Sequence, residues 1–183
     1  GFRGNVNIVE GEAADRVILR SARQARPLGY SVRLDRFTVS FYASGVPKEF
    51  KSMVTVLEGG RQILTEPIRV NHPLTYKGIS IYQSSYGVAD VKKAVMAVKD
   101  RVSRKEIIIP AALGTRIGIP GTASSFLLTR FIQDLQGMGL ALQVVLFEPN
   151  RPHENFWVFQ KHPEFAERNP GPYQFTIKEI EPR

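Results

Sequence analysis

The chain has 183 residues, with 25 lysines and arginines against 17 acidic side chains for a formal net charge of +8, and it is 43% hydrophobic and 23% charged. That balance excludes wholesale disorder and leaves enough apolar material for one domain with a true core, or for two small lobes sharing one. The absence of any cysteine excludes disulfides, thiolate nucleophiles and cysteine-bound zinc, while leaving the compartment open.

The chain opens at Gly1 without an initiator methionine, as expected of an excised or processed piece. No run approaches the roughly 18 consecutive apolar residues of a membrane helix, and no signal-peptide pattern is present, which says nothing of a longer parent. The first basic stretch, Arg16, Arg20, Arg23 and Arg26, reads as a solvated face. In VRLDRFTVSFY the apolar phase moves from Val32 and Leu34 to Phe37, Val39 and Phe41, which predicts a β-bulge near Asp35-Arg36. Asp35 and Arg36 read as structural hydrogen-bonding groups or a solvated pair, and SGVPKEF as a charged turn.

Period-two runs continue at about 52–58, 62–70, 78–86, 91–99 and 105–110, broken by pairs such as Gly59-Gly60. A second basic stretch, Lys92, Lys93, Lys99, Arg101, Arg104 and Lys105, again suits a solvated face. In SSFLLTRFIQDL, Leu128, Phe131, Ile132 and Leu135 follow a serine cap at 124 or 125, so the spacing predicts a helix, with a strand over the first half as the competing reading. Strands resume at 140–147, 155–160 and 173–177. The expected fold is mainly β, an antiparallel sandwich-like domain over residues 1–183 with at most one or two short helices. An echo between Arg36-Phe37 with SMVTVL and Arg130-Phe131 with LALQVVLF, and between ISIYQ and FWVFQ, reads either as two related lobes, 1–100 and 101–183, or as chance similarity between amphipathic strands.

The chain contains no HExxH, GxSxG, P-loop, dinucleotide fingerprint or CxxC, and the carboxylates near Glu10, Glu12 and Asp15 show no spacing across a cleft. Catalysis by this chain alone is not expected. The positive balance is compatible with anionic lipid, acidic ligands or nucleic acid.

GNVNIVEGE, then VRLDRFTVSFYASGVPKEFKSMVTVLEGG, then IRVNHPLTYKGISIYQSSYG form a succession of local words that resembles the large extracytoplasmic domain of the ResB/CcsB family of system II cytochrome c biogenesis. The resemblance is strong over about residues 4 to 87 and weaker beyond. It implies a multi-span parent in the cytoplasmic membrane with this domain on the extracytoplasmic, periplasmic side, scaffolding haem delivery and attachment. The implied partners are a ResC/CcsA-type membrane subunit, apocytochrome c and a thiol-disulfide reductase, with no nucleic acid. The tryptophan-rich haem-handling segment of the partner has no counterpart here, since Trp157 is the only tryptophan. The alternative is an exported β-sandwich adhesion or ligand-binding module.

Within that resemblance the candidates for haem or partner contact are His72, Tyr76, Tyr82 and Tyr86. Ile79 and Ile81 should face the core, leaving Tyr82 and Tyr86 with Ser80 and Ser84 on the opposite face, either to dock a partner or porphyrin or to pack beneath the NHPLTY loop. His72 precedes Pro73 and reads equally as an axial haem ligand or as a turn residue. His153 and His162 lie in polar loop sequence, without the spacing of a metal site. No tightly bound cofactor is expected, with haem at most a transient visitor.

Overall fold

A computed structural model describes residues 1–84, 88 and 90–182. It is 58% strand and 3% helix, with antiparallel sheets and no closed barrel, so the mainly β expectation holds. The chain divides into two compact units, Gly1–Thr38 with Glu49–Ser85, and Val39–Lys48 with Tyr86–Arg183. No helix among the described residues is long and apolar enough to cross a membrane.

The first unit contains β1 (Gly4–Asn5), β2 (Ala13–Leu19), most of β3 (Ala25–Phe41) and β4 (Pro47–Glu58), β5 (Arg61–Arg69), β6 (Leu74–Tyr76) and β7 (Ile79–Ile81). β1 pairs with β2, β2 with β3, β3 with β4 and β4 with β5, while β6 and β7 form a separate hairpin. Tyr30, Val32, Val54, Val56, Ile68 and Leu74 are buried together, with Leu28, Leu34, Leu64, Tyr76, Ile79 and Ile81 packed against them. Asp35 accepts from Arg33 Nε at 2.6 Å and from Thr55 Oγ1 at 2.5 Å, and Thr55 meets Thr65 at 2.8 Å. Asp35 is thus a structural hydrogen-bonding group whose charge is compensated. The change of apolar phase in β3 is real: Val32 is buried, and then Phe37, Thr38 and Val39 are buried in succession, so the strand passes to burial on both faces. The register shift described along β3 lies earlier, where Ala14 opposes Val32 but Arg16 opposes Pro27. The extra residues of β3 there include Gly29 at φ +85°, a backbone state that glycine enters without a Cβ penalty.

The second unit holds the end of β3, β8 (Val91–Asp100), β9 (Glu106–Ala112), β10 (Ile117–Gly118), β11 (Ser125–Ile132), β12 (Ala141–Phe147), β13 (Glu154–Phe159), a 3-10 helix (Pro163–Arg168) and β14 (Tyr173–Pro182). β14 lies between the end of β3 and β8, and β8 pairs with β9. A second sheet runs β10-β11-β12-β13, all antiparallel. The two layers meet at Phe175 of β14, whose ring lies 5.3 Å from that of Phe126 on β11 and 5.5 Å from that of Phe156 on β13. Around these rings Leu128, Leu142, Val144 and Leu146 of one sheet and Met96, Val98, Ile109 and Ile180 of the other are buried, the alternate side chains of a two-sheet core.

The predicted helix over 124–135 is replaced by the strand β11. Phe126 and Leu128 alternate inward, then the register shifts between Leu128 and Arg130. The inserted residue makes Leu128 and Phe131 both oppose inward positions of β12 at a spacing of three, which imitates the helical repeat in the bare sequence.

The turn between β3 and β4 is the one expected from SGVPKEF. Gly45 N–H donates to Tyr42 O at 2.9 Å, and Gln160 Nε2 donates to Gly45 O at 2.5 Å. A Cβ on Gly45 would fall 2.8 Å from Gln160 O at φ +86°, so both space and conformation demand glycine.

Arg101, just past β8, gathers the segment before β14. Its Nε donates to Gly171 O at 2.9 Å, one Nη to Glu167 O at 3.1 Å, and the other to Ala166 O and Asn169 O. Asn169 Oδ1 in turn accepts from Phe175 N–H at 2.8 Å.

Because Phe175 is fully buried between the layers, Phe175→Ala is expected to cost about 3–5 kcal/mol. Urea unfolding followed by circular dichroism measures it; a loss under about 1 kcal/mol would contradict this account of the core.

Candidate functional site

The hairpin β6–β7 is the centre of the stretch that the sequence singles out. Its two-residue turn, Lys77-Gly78, has positive φ at both positions, 48° and 78°, the arrangement whose twist matches that of the flanking strands. Leu74 opposes Ile81, Thr75 opposes Ser80 and Tyr76 opposes Ile79. Alternation then sends Leu74, Tyr76, Ile79 and Ile81 toward the apolar cluster of the first unit, and leaves Thr75 and Ser80 outside, their hydroxyls 2.9 Å apart. Ile79 and Ile81 are scaffold, as their alternation implies. Just beyond β7, Gln83 Oε1 accepts from the buried Ser52 Oγ at 2.5 Å and ties the segment to β4.

Tyr76 is half-buried. Its ring stands edge-on to Tyr30, with centroids 4.9 Å apart and planes at 89°, and Tyr30 Oη donates to the Tyr76 carbonyl at 3.4 Å. Glu58, at the end of β4, takes the Lys77 ammonium as an ion-pair partner. Partial burial pushes the Tyr76 hydroxyl above its usual range, and the adjacent Glu58 carboxylate adds to the effect. The hydrogen bond from Lys77 holds Glu58 below the usual carboxylate range, with a further hydrogen bond from Tyr76; Lys77 is raised chiefly by the same bond to Glu58. Tyr30 is raised by burial and then by Tyr76.

The other candidates are placed elsewhere. His72 is exposed in the turn between β5 and β6, after Asn71 at φ +64°. The fold uses its backbone: His72 N–H donates to Arg69 O at 2.9 Å, and Arg69 N–H donates to His72 O at 3.2 Å. Tyr82 follows the phase of Ser80 and is 65% exposed. Among the described residues no hydrogen bond or ring contact joins His72, Tyr76 and Tyr82. Tyr86 lies outside the described residues. His162 meets Glu164 at 3.0 Å and stacks on Phe165, and His153 lies 5.9 Å from the Phe147 ring. Among the described residues no group of three or more His, Asp or Glu is arranged to hold a metal ion.

Two features escape a reading of the sequence alone. On the outer face of the second unit's four-stranded sheet, Arg130, Gln143 and Trp157 stand in register across β11, β12 and β13, with the Arg130 guanidinium 5.0 Å from the Trp157 ring. On the same sheet Arg116 covers Phe147 at 3.8 Å and donates from Nε to Ser125 Oγ at 2.7 Å. Arginine over an aromatic face is an attractive pairing, and only the strand register, which the sequence does not print, brings these residues together. Separately, a groove of about 460 Å³ is lined by residues that include Lys99, Arg104, Glu106, Glu164 and Lys178, charges of both signs.

A profile of the ResB-like family matches residues 1–171. The chain belongs to the ResB-like family. The family match reaches past the motifs of residues 4–87 through β8–β13 and the 3-10 helix, so both compact units are part of the ResB-like chain. The cytochrome c biogenesis protein CcsB of Synechococcus sp. (strain JA-3-3Ab) is 29% identical over 93 residues, 50% of this chain and 20% of that protein. CcsB of Thermosynechococcus vestitus is 29% identical over 111 residues, 59% of this chain and 24% of the relative, and CcsB of Picosynechococcus sp. is 36% identical over 64 residues, 34% and 14% respectively. The chain thus spans at most about a quarter of these curated relatives. No solved structure matches it.

The Tyr76–Glu58–Lys77 cluster sets a pH dependence. Glu58 is lowered from 4.5, so its contribution is complete above that value and is lost as pH falls through the folded value. Lys77 is raised from 10.5, so its contribution is complete below that value and is lost as pH rises through the folded one. Glu58→Gln is therefore expected to flatten the acid limb of a Tm-against-pH curve below about pH 4.5. Superimposable acid limbs would remove the pair as its source.

Proposed function

We propose that this chain is the extracytoplasmic domain of a system II cytochrome c assembly subunit, a non-catalytic platform that helps hold the haem-attachment machinery together and present apocytochrome c or haem. The observation that carries the reading is the ResB-like match over residues 1–171, joined to curated relatives that are named cytochrome c biogenesis proteins. The parent is read as a membrane protein with this domain on the outer side of the cytoplasmic membrane, next to a ResC/CcsA-type subunit and a thiol-disulfide reductase.

The chemistry of the chain supports this role. A surface that handles apocytochrome must meet reduced thiols without trapping them, and a chain with no cysteine cannot form a mixed disulfide. The net charge of +8 favours residence near anionic headgroups and contact with carboxylates. Tyr82, exposed just past the end of β7, offers an aromatic face with a hydroxyl for docking.

The test has two arms. The chain incubated with reduced CXXCH peptide and haem is expected to give no covalent adduct by mass spectrometry, and adduct formation would overturn the platform reading. Ferric haem titrated into the chain and into His72→Ala is expected to give the same Soret band; a shifted band seen with the unaltered chain and lost in the variant would make His72 an axial ligand.

A further inference from the structure

β13 is the last strand of the second unit's four-stranded sheet, and among the described residues it pairs only with β12. Its main chain therefore has one satisfied side and one open side. Which residues face the open side follows from one bond. Gln160 N–H donates to Leu140 O at 3.0 Å, in step with the register that sets Phe159 opposite Ala141, so every second residue before Gln160, namely Val158, Phe156 and Glu154, exchanges its hydrogen bonds with β12. Asn155 and Trp157 alternate with these. Their N–H and C=O groups point out of the sheet, and among the described residues none of them has a hydrogen-bond partner.

An open edge is a template for another chain, and natural sheets ordinarily blunt it. The other end strands among the described residues are blunted: β1 and β10 have two residues each, β6 and β7 three, β5 carries Pro67 and β9 carries Pro110. β13 has six residues, ENFWVF, with no proline, lysine or arginine, and its one charge is Glu154 at the start. A strand that only ended a sheet in water would be expected to carry the same devices. The neighbouring face also selects by charge. The positions of β11, β12 and β13 that share the face of Trp157 include Arg130, 5.0 Å from the Trp157 ring, and no carboxylate. Arg116, over Phe147 at 3.8 Å, adds a second positive charge to that face.

We propose that β13 binds an extended peptide segment by strand addition, antiparallel to itself, with acidic side chains of the segment on the face of Arg130 and Trp157. The alternating donors and acceptors of Asn155 and Trp157 are matched by another main chain in extended form, and antiparallel addition continues the order of the sheet. Directly opposed residues of antiparallel strands share a face, so the segment's bonds to Asn155 and Trp157 come from the residues that carry those acidic side chains. The site rests on this edge and is independent of the assembly role proposed above.

Trp157, the only tryptophan in the chain, stands on the edge itself and reports its occupation. The peptide acetyl-TVEVTVEV-amide, titrated into the 183-residue chain, is expected to shift Trp157 emission saturably. N-methylation of its threonines and glutamates is expected to abolish the shift, whereas N-methylation of its valines, whose N–H groups face away from β13, leaves the midpoint within about threefold. Asn155→Pro removes an N–H that β12 does not use, so it spares the ladder and is expected to weaken binding about tenfold, the order of one lost hydrogen bond. Circular dichroism checks the fold of that variant, and the methylated peptides test the unaltered chain. Glutamine in place of glutamate in the peptide is expected to weaken binding about threefold, the order of an exposed ion pair. Equal binding by the two methylated peptides, equal binding by the glutamine peptide and its parent, or no saturable shift would overturn the proposal. So would a concentration-dependent dimer in sedimentation that Asn155→Pro dissolves and the peptide does not compete, which would give the edge to a second copy of the chain.

Discussion

A strand offers its two faces to alternate residues, so one inserted residue exchanges inside for outside along everything that follows. Much of this molecule depends on where that exchange happens. Between Leu128 and Arg130 it lets one strand supply Phe126 and Leu128 to the core before the shift and set the half-buried Phe131 opposite Leu142 after it, while turning Arg130 toward Gln143 and Trp157. Along β3 the irregularity at Gly29 separates the pairing of Ala14 with Val32 from that of Arg16 with Pro27. The register between β14 and β8 also shifts, between Ile177 and Glu179, in a strand that continues on to Glu181. A regular sheet of the same composition would not bring Arg130, Gln143 and Trp157 into one ladder.

The parts of the fold legible in the sequence are those where period two runs without interruption. Val54 and Val56, Leu142, Val144 and Leu146, and Phe175 and Ile177 could be read directly, and all are buried. The interruptions are what misled. A shift that places Leu128 and Phe131 three residues apart cannot be told from a helical turn without knowing what stands opposite. Short elements such as β1, β10 and the hairpin strands β6 and β7 are stabilised by tertiary contacts and leave almost no periodic trace. The family, by contrast, was legible because the order of several local words carries more information than any one strand pattern.

The candidate residues divide along similar lines. That Ile79 and Ile81 pack inward follows from alternation alone. Tyr76 shares their side of the hairpin through the register Tyr76–Ile79, a cross-strand fact that depends on the turn at Lys77-Gly78. It therefore stands among Tyr30, Glu58 and Lys77, on the side opposite to Ser80. Histidine before proline was ambiguous by chemistry, since both iron ligation and turn formation use it, and the bridge to Arg69 accounts for its backbone only. The ladder of Arg130, Gln143 and Trp157 joins residues from three strands, and no local motif announces it.

The Arg101 clamp bears on how the second unit loosens. A single guanidinium takes up carbonyls at positions 166, 167, 169 and 171, a stretch whose only regular structure is a six-residue 3-10 helix. Lysine, with one nitrogen, could not serve that many acceptors spread over a whole turn. The order of the 163–172 segment is thus borrowed from the end of β8, and fraying of that end would release the segment with it. The two should exchange their amide protons as one cooperative patch, although some 65 residues of chain separate them.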